Sequence, residues 1–266
     1  MQASPITLLL DLGNTRLKLA VWHPGQTGFI AIDGHAHSNL KQLLDWLEQT
    51  LDALEGEPVI AYGVSVASPD VMAAIESLLR GRRTSPSMRW VWPQAQYHGV
   101  VNTYPSPSQL GADRWAAMLG LKHRFGDNQK SIVLANFGTA TTVDTLSRDR
   151  QFLGGLILPG VSMMQTSLSQ GTARLPLAQG EVNDYPTDTH AAITTGIVAA
   201  QLGAIRRQIE LSTDRDGEPP IMCVSGGAWS LLKREWHRML PGVDVQETPH
   251  VVLDGLLLFA QTVANP

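Results

Sequence analysis

Apolar and polar positions divide the chain into short, regularly spaced runs. Thr7–Asp11 is an apolar run ending at Gly13-Asn14, and Leu17–Trp22 resumes it, which predicts strand, turn and strand. Leu40, Leu43, Leu44, Leu47, Leu51 and Leu54 keep helical spacing, with Ser38 placed to cap that helix. Pro58–Val66 reads as a strand. Ser68-Pro69 then opens a helix with Val71, Met72, Ile75, Leu78 and Leu79 on one side, and Gly81 ends it. Arg89–Trp92 predicts a short strand.

The second half repeats that order. Apolar or β-rich runs at 131–134, 139–146 and 152–158 predict three strands. Helical patterns follow near 160–170 and 187–211, then a strand at 220–224, a helix from about Gly227, and a last helix over about 250–263. A sequence echo accompanies the repeat. Leu10-Asp11-Leu12-Gly13-Asn14-Thr15 matches Ala135-Asn136-Phe137-Gly138-Thr139-Ala140 in residue type, each at the start of its half. Together they predict a duplicated α/β domain with a cleft between halves, divided as residues 1–109 and 110–266.

Composition narrows the function classes. With 266 residues, 43% of them hydrophobic, the chain is long enough to bury a large core. A net charge of -4 gives no electrostatic footprint for nucleic acid or an anionic membrane. The cluster Arg80, Arg82 and Arg83 reads as a solvated helix end. The single cysteine, Cys223, excludes an internal disulfide and a cysteine zinc site, and its apolar neighbours predict a buried core residue. Met1-Gln2-Ala3-Ser4-Pro5 lacks the basic start and cleavage site of a signal peptide, and no apolar stretch approaches the ~20 residues of a membrane helix. A cytoplasmic location is therefore expected. His35 and His37 have no carboxylate or cysteine at ligand spacing and read as solvated loop residues.

The motifs carry the chemistry. No P-loop, dinucleotide fingerprint or nucleophile elbow occurs. Asp11-Leu12-Gly13-Asn14-Thr15-Arg16-Leu17-Lys18 forms a strand-turn-strand tip whose Gly and small polar residues suit a polyphosphate. Asp11 suits a hydrated Mg²⁺, and Arg16 or Lys18 supplies positive charge. A plain hairpin with an Asn turn explains the same residues equally well. Asn136-Phe137-Gly138-Thr139-Ala140-Thr141-Thr142-Val143-Asp144 is a second such tip, with a Thr-rich strand as its plain reading. Two tips, one heading each half, favour a phosphate clamp.

Gly111-Ala112-Asp113-Arg114 lies at a loop-to-helix junction. There a carboxylate can take a proton from an alcohol while the guanidinium holds an anion. Asp113 also suits the helix start by charge alone. Phe152–Gly160 holds paired glycines and a Pro-Gly turn. Val224-Ser225-Gly226-Gly227 is a strand-to-helix turn able to accept a flat adenosine ring.

This ordered set resembles type III pantothenate kinases of the acetate kinase/sugar kinase/heat-shock chaperone/actin superfamily, over nearly the whole chain. The resemblance implies actin-like, ribonuclease H-like halves, each a mixed sheet flanked by helices. It implies transfer of phosphate from ATP to pantothenate, giving 4′-phosphopantothenate, the first committed step toward coenzyme A. By the same resemblance Asp113 accepts the hydroxyl proton, and Asp11–Lys18 and Thr139 bind ATP. Tyr104, Gly111, Ala112, Asp113, Arg114 and Thr189 match pantothenate-binding positions. The family also implies a homodimer, Mg²⁺ with ATP, a monovalent cation (K⁺ or NH₄⁺) and little feedback by coenzyme A. Asn136 stands where the family usually has a carboxylate, so a weak or absent potassium requirement is expected. Another small-molecule kinase of the superfamily, or a non-catalytic regulatory relative, is the alternative.

Overall fold

The computed structural model describes residues 5–54 and 56–264, so Met1–Ser4, on which the signal-peptide expectation bears, lie outside the described residues. The chain forms two compact units: Met1–Asp127 with His250–Pro266, and Asn128–Pro249.

The first unit opens with strands β1 (Pro5–Leu12), β2 (Arg16–Trp22) and β3 (Ile30–Ala36) and helix α1 (Leu40–Asp52). Strand β4 (Glu57–Ser65), helix α2 (Pro69–Arg80) and strand β5 (Ser87–Trp90) follow. The sheet order is β3-β2-β1-β4-β5, antiparallel on the hairpin side and parallel where a helix crosses over. Alternation along β1 sends Ile6, Leu8, Leu10 and Leu12 into one core with Leu43, Leu47, Ile75 and Leu79 of α1 and α2. Asp11, one step out of that phase, faces the other way. Strands β6 (Gln96–Tyr97) and β7 (Val100–Asn102) pair antiparallel, and α3 (Ala112–Phe125) follows.

The second unit holds β8 (Ile132–Phe137), β9 (Ala140–Leu146), β10 (Gln151–Pro159), α4 (Val161–Gly171), α5 (Thr189–Asp216), β11 (Ile221–Ser225), α6 (Trp229–Met239) and β12 (Val245–Glu247). Its strands run β12-β11-β8-β9-β10, the same topology as the first unit read from the opposite edge. Val133, Ala135, Phe137, Val143 and Val224 pack against Ile197, Leu202 and Ile205 of α5 and Leu232 and Trp236 of α6. The duplication expected from the echo is present, and both hexapeptides sit at the first hairpin of their unit.

The chain then returns to the first unit through α7 (Val251–Ala264), which packs along α3 and against β1 and β4. Arg124 and Asp254 tie the two helices with an ion pair at 3.0 Å. Both helices therefore belong to the first unit, where the sequence reading placed the divide at 109/110.

Several local expectations change. Asn39, not Ser38, caps α1, its side chain accepting from Gln42 N–H. Arg82 is no solvated charge, because it pairs with Asp52 at 2.9 Å with its own side chain 18% exposed. His35 lies in β3 and stacks on Trp46. Strand β3 and the short strands β6, β7 and β12 were not read from the pattern. Cys223 is fully buried, as expected. No helix among the described residues is long and apolar enough to cross a membrane.

Candidate active site

In the first unit the β1–β2 connection is a tight tip. Gly13 N–H donates to Arg16 O at 3.0 Å, and Asn14, Thr15 and Arg16 are exposed beyond it. Leu12 and Leu17 are buried and register with each other, so their side chains anchor the tip in the core. Asp11 and Lys18 are cross-strand partners, and Lys18 Nζ lies 3.2 Å from the Asp11 carboxylate. Asp11 is 6% exposed. Arg16 donates to Gly34 O and braces β3, so Lys18 is the cation held beside the carboxylate. His37, expected to be solvated, is half-buried and bonded to the tip through Nε2 and Gly13 O at 2.9 Å.

On the sheet face that bears Asp11 lie α3 and α7. Asp113 is in the first turn of α3, half-buried, and its Oδ1 accepts from Arg114 N–H at 2.8 Å. A Cβ at Gly111 would sit 2.7 Å from that oxygen, so glycine there is what lets the carboxylate fold back over the helix start. Ala112 is buried beside it. Arg114 is 7% exposed, and its Nη1 donates to the Tyr104 hydroxyl at 3.2 Å. Tyr104 N–H donates in turn to Asn102 Oδ1 at 3.1 Å. Four residues expected at the substrate site, Tyr104, Gly111, Asp113 and Arg114, thus form one connected cluster. Asn102 was missed, although Asn two residues before Tyr104-Pro105 is an Asx-turn signal.

In the second unit the β8–β9 tip repeats the design. Gly138 N–H donates to Ala140 O at 3.1 Å, and Gly160 N–H donates to Thr139 O at 3.0 Å. A Cβ at Gly160 would overlap the carbonyl oxygens of Gly138 and Thr139, so the start of α4 lies directly against the tip. Ala228 N–H, at the turn into α6, donates to Phe137 O at 3.2 Å. Three glycine-bearing segments named from the sequence therefore meet at one end of this sheet. Asn136 registers with Thr142 on one side and Ser225 on the other, a row of neutral side-chain oxygens.

Two cavities adjoin these turns. One, of about 390 Å³, is lined by Val161, Gln179, Thr194, Leu231 and Glu235 among others. Thr194 Oγ1 is buried there without a hydrogen-bond partner, Glu235 Oε2 is buried with Arg238 Nε 3.5 Å away, and neither residue was singled out from the sequence. The other, of about 620 Å³, is mainly apolar, and Thr189 lines it with Pro159, Met164 and Ile193. The structure thus places Thr189 apart from the smaller cavity, at the first residue of α5.

The donor set suits a nucleotide-borne Mg²⁺ better than a protein metal cage. Among the described residues no group of three or more His, Cys, Asp or Glu is arranged to hold a metal. A single buried carboxylate at Asp11 fits a hydrated Mg²⁺ that takes its remaining ligands from phosphate and water.

A family model described as type III pantothenate kinase matches residues 7–211. A type III pantothenate kinase of Bordetella petrii is 40% identical over 267 residues, covering 95% of this chain and 96% of that protein. One from Bordetella bronchiseptica is 42% identical, covering 95% and 97%. Among solved structures, component A of the (R)-2-hydroxyglutaryl-CoA dehydratase of Acidaminococcus fermentans is similar in fold. It has a TM-score of 0.55 at 11% identity, with 99% of this chain and all (100%) of that one covered. A PilM–PilN type IV pilus biogenesis complex gives 0.56 at 11% identity, covering 96% and 98%. At such identities the structures speak for the fold, the duplicated actin-like architecture. The sequence relatives and the matched model speak for more: this chain belongs to the type III pantothenate kinase family.

Proposed function

We propose that the protein phosphorylates pantothenate with ATP, giving 4′-phosphopantothenate, and that Asp113 is the general base. The cluster of Asp113, Arg114 and Tyr104 supports this reading most. A half-buried carboxylate beside a buried guanidinium offers a proton acceptor next to a holder for the carboxylate of the acceptor molecule. Asp113 takes the proton from the attacking hydroxyl as the oxygen–phosphorus bond forms, and ADP leaves. Because phosphoryl transfer depends mainly on positioning and charge, the base need not be strong.

The tips at 11–18 and 138–140 hold the phosphates in this reading, with Thr139 and Lys18 as donors. Asp11 holds Mg²⁺, which neutralises phosphate charge when bound. The cavity beside Leu231 receives the adenosine, one helical turn beyond Gly227. Thr189 and the apolar cavity it lines serve pantothenate. Asn136 supplies a neutral oxygen in place of a carboxylate, so potassium or ammonium binds weakly or is dispensable. The homodimer rests on the family resemblance, and the cytoplasmic setting is the expectation drawn from the sequence.

A coupled ADP-release assay with pantothenate, and with a panel of sugars and carboxylic acids, tests the reading. Turnover confined to pantothenate is expected. Turnover with another acceptor alone, or with none, overturns it.

A further inference from the structure

Peptide carbonyls carry partial negative charge, so a turn that binds polyphosphate works best when its carbonyls are occupied and its N–H groups face outward. At the β1–β2 tip four carbonyls accept from donors of the same unit. Val66 N–H donates to Leu12 O at 3.0 Å, and Gly13 N–H to Arg16 O at 3.0 Å. His37 N–H donates to Thr15 O at 3.1 Å. The fourth carbonyl, Gly13 O, lies 2.9 Å from His37 Nε2. A carbonyl only accepts, so Nε2 is the protonated nitrogen, and it donates whether the ring is neutral or cationic.

Of these donors, His37 Nε2 is the only one from a side chain. The matching tip in the second unit has its Phe137, Thr139 and Ala140 carbonyls taken by the backbone N–H groups of Ala228, Gly160 and Gly138. The histidine bond is thus particular to the first tip, where it holds the carbonyl of Gly13, the counterpart of Gly138 in the echo.

We propose that His37 is a positioning residue for ATP in this chain. It holds the Gly13 carbonyl turned inward, so that the Gly13–Asn14 peptide presents no negative end to the nucleotide phosphates. The proposal rests on the reading that residues 11–18 hold those phosphates. Without the imidazole, the flexible peptide after Gly13 is free to rotate its carbonyl outward, where it opposes phosphate.

Steady-state kinetics on the full-length enzyme test this, with ATP and pantothenate varied separately and melting temperature recorded. His37→Leu is expected to raise KM for ATP by about 3–10-fold, the scale of one lost hydrogen bond. The kcat and KM for pantothenate should stay within about twofold. His37→Gln places an N–H donor near the Nε2 position and should recover most of the loss, while the shorter His37→Asn should not. Asn14→Ala and Lys18→Ala, within the tip, report on the underlying reading. If these leave KM for ATP unchanged, the tip does not bind phosphate and both ideas fall. If they raise it while His37→Leu does not, the positioning role alone falls. A lowered melting temperature with unchanged KM for ATP marks His37 as purely structural and overturns the proposal. Should the Leu variant not fold, equal KM values for the Gln and Asn variants overturn it as well.

Discussion

Arg114 Nη1 donates to the Tyr104 hydroxyl at 3.2 Å, which fastens the loop after β7 to the first turn of α3. The guanidinium is almost wholly buried, so its partners matter more than those of a surface arginine. The same loop is anchored from below by Asn102, whose Nδ2 donates to Pro107 O at 3.3 Å and whose Oδ1 holds Tyr104 N–H. The conformation of this loop and the position of the Arg114 guanidinium are therefore coupled through Tyr104.

Tyr104→Phe removes one acceptor from Arg114 and leaves the ring in place. KM for pantothenate should rise by about 10–100-fold, the scale of one hydrogen bond to a charged group, with KM for ATP nearly unchanged. Separate titration of the two substrates in the ADP-release assay checks this.

The proposed general-base role of Asp113 and its bond at the helix start are separated by different substitutions. Asp113→Asn keeps an oxygen to accept from Arg114 N–H but cannot act as a base, so kcat should fall by ~10²–10⁴ with little change in melting temperature. Asp113→Ala loses the helix-start bond as well and should cost a further ~1 kcal/mol of stability. Equal loss of stability in both variants, with kcat intact, would show that the carboxylate serves the helix alone.

Gly160→Ala should disable the second tip, because the added methyl overlaps the Gly138 and Thr139 carbonyl oxygens. Relieving that overlap costs about 1–3 kcal/mol and displaces the turn. Calorimetry with ADP should show weakened binding in a variant that remains folded by circular dichroism.

The proposed weak cation site at Asn136 is tested directly. Activity in potassium-free Tris buffer should be close to that with added potassium or ammonium. Asn136→Asp restores a charged oxygen in the row with Thr142 and Ser225 and should make the rate respond to potassium. A steep potassium dependence of the unaltered protein contradicts this expectation.

Burial pushes the Tyr62 hydroxyl above its ordinary pKa of 10.0, with Arg89, donating to it at 3.4 Å, pulling partly the other way. A raised pKa means the folded state holds the proton more tightly than the unfolded one. The stabilisation is thus complete below about pH 10 and is lost as pH rises further. Melting temperature measured from pH 8 to 11 should fall more steeply for the unaltered protein than for Tyr62→Phe.

The order of strands and helices, the two glycine tips and the Gly111–Arg114 junction are legible along the chain, because each follows from residues within a few positions. Hydrophobic period and local turn chemistry act at that range. Strand β3 escaped because Asp33, Gly34 and His35 interrupt its apolar alternation, and it forms as an edge strand by pairing with β2. The return of α7 to the first unit was equally hidden, since it depends on packing against α3, more than a hundred residues earlier.

The sequence by itself determined the duplicated α/β plan, the family and the residue types available for chemistry. Tertiary structure decided how those residues are used. It gave Lys18 to Asp11, sent Arg16 to Gly34 O, joined Arg114 to Tyr104, and turned His37 from an apparent loop residue into the support of Gly13. The reason is physical. A hydrogen bond is settled by donor–acceptor geometry within about 3 Å, and chain neighbours alone do not set which distant groups come that close.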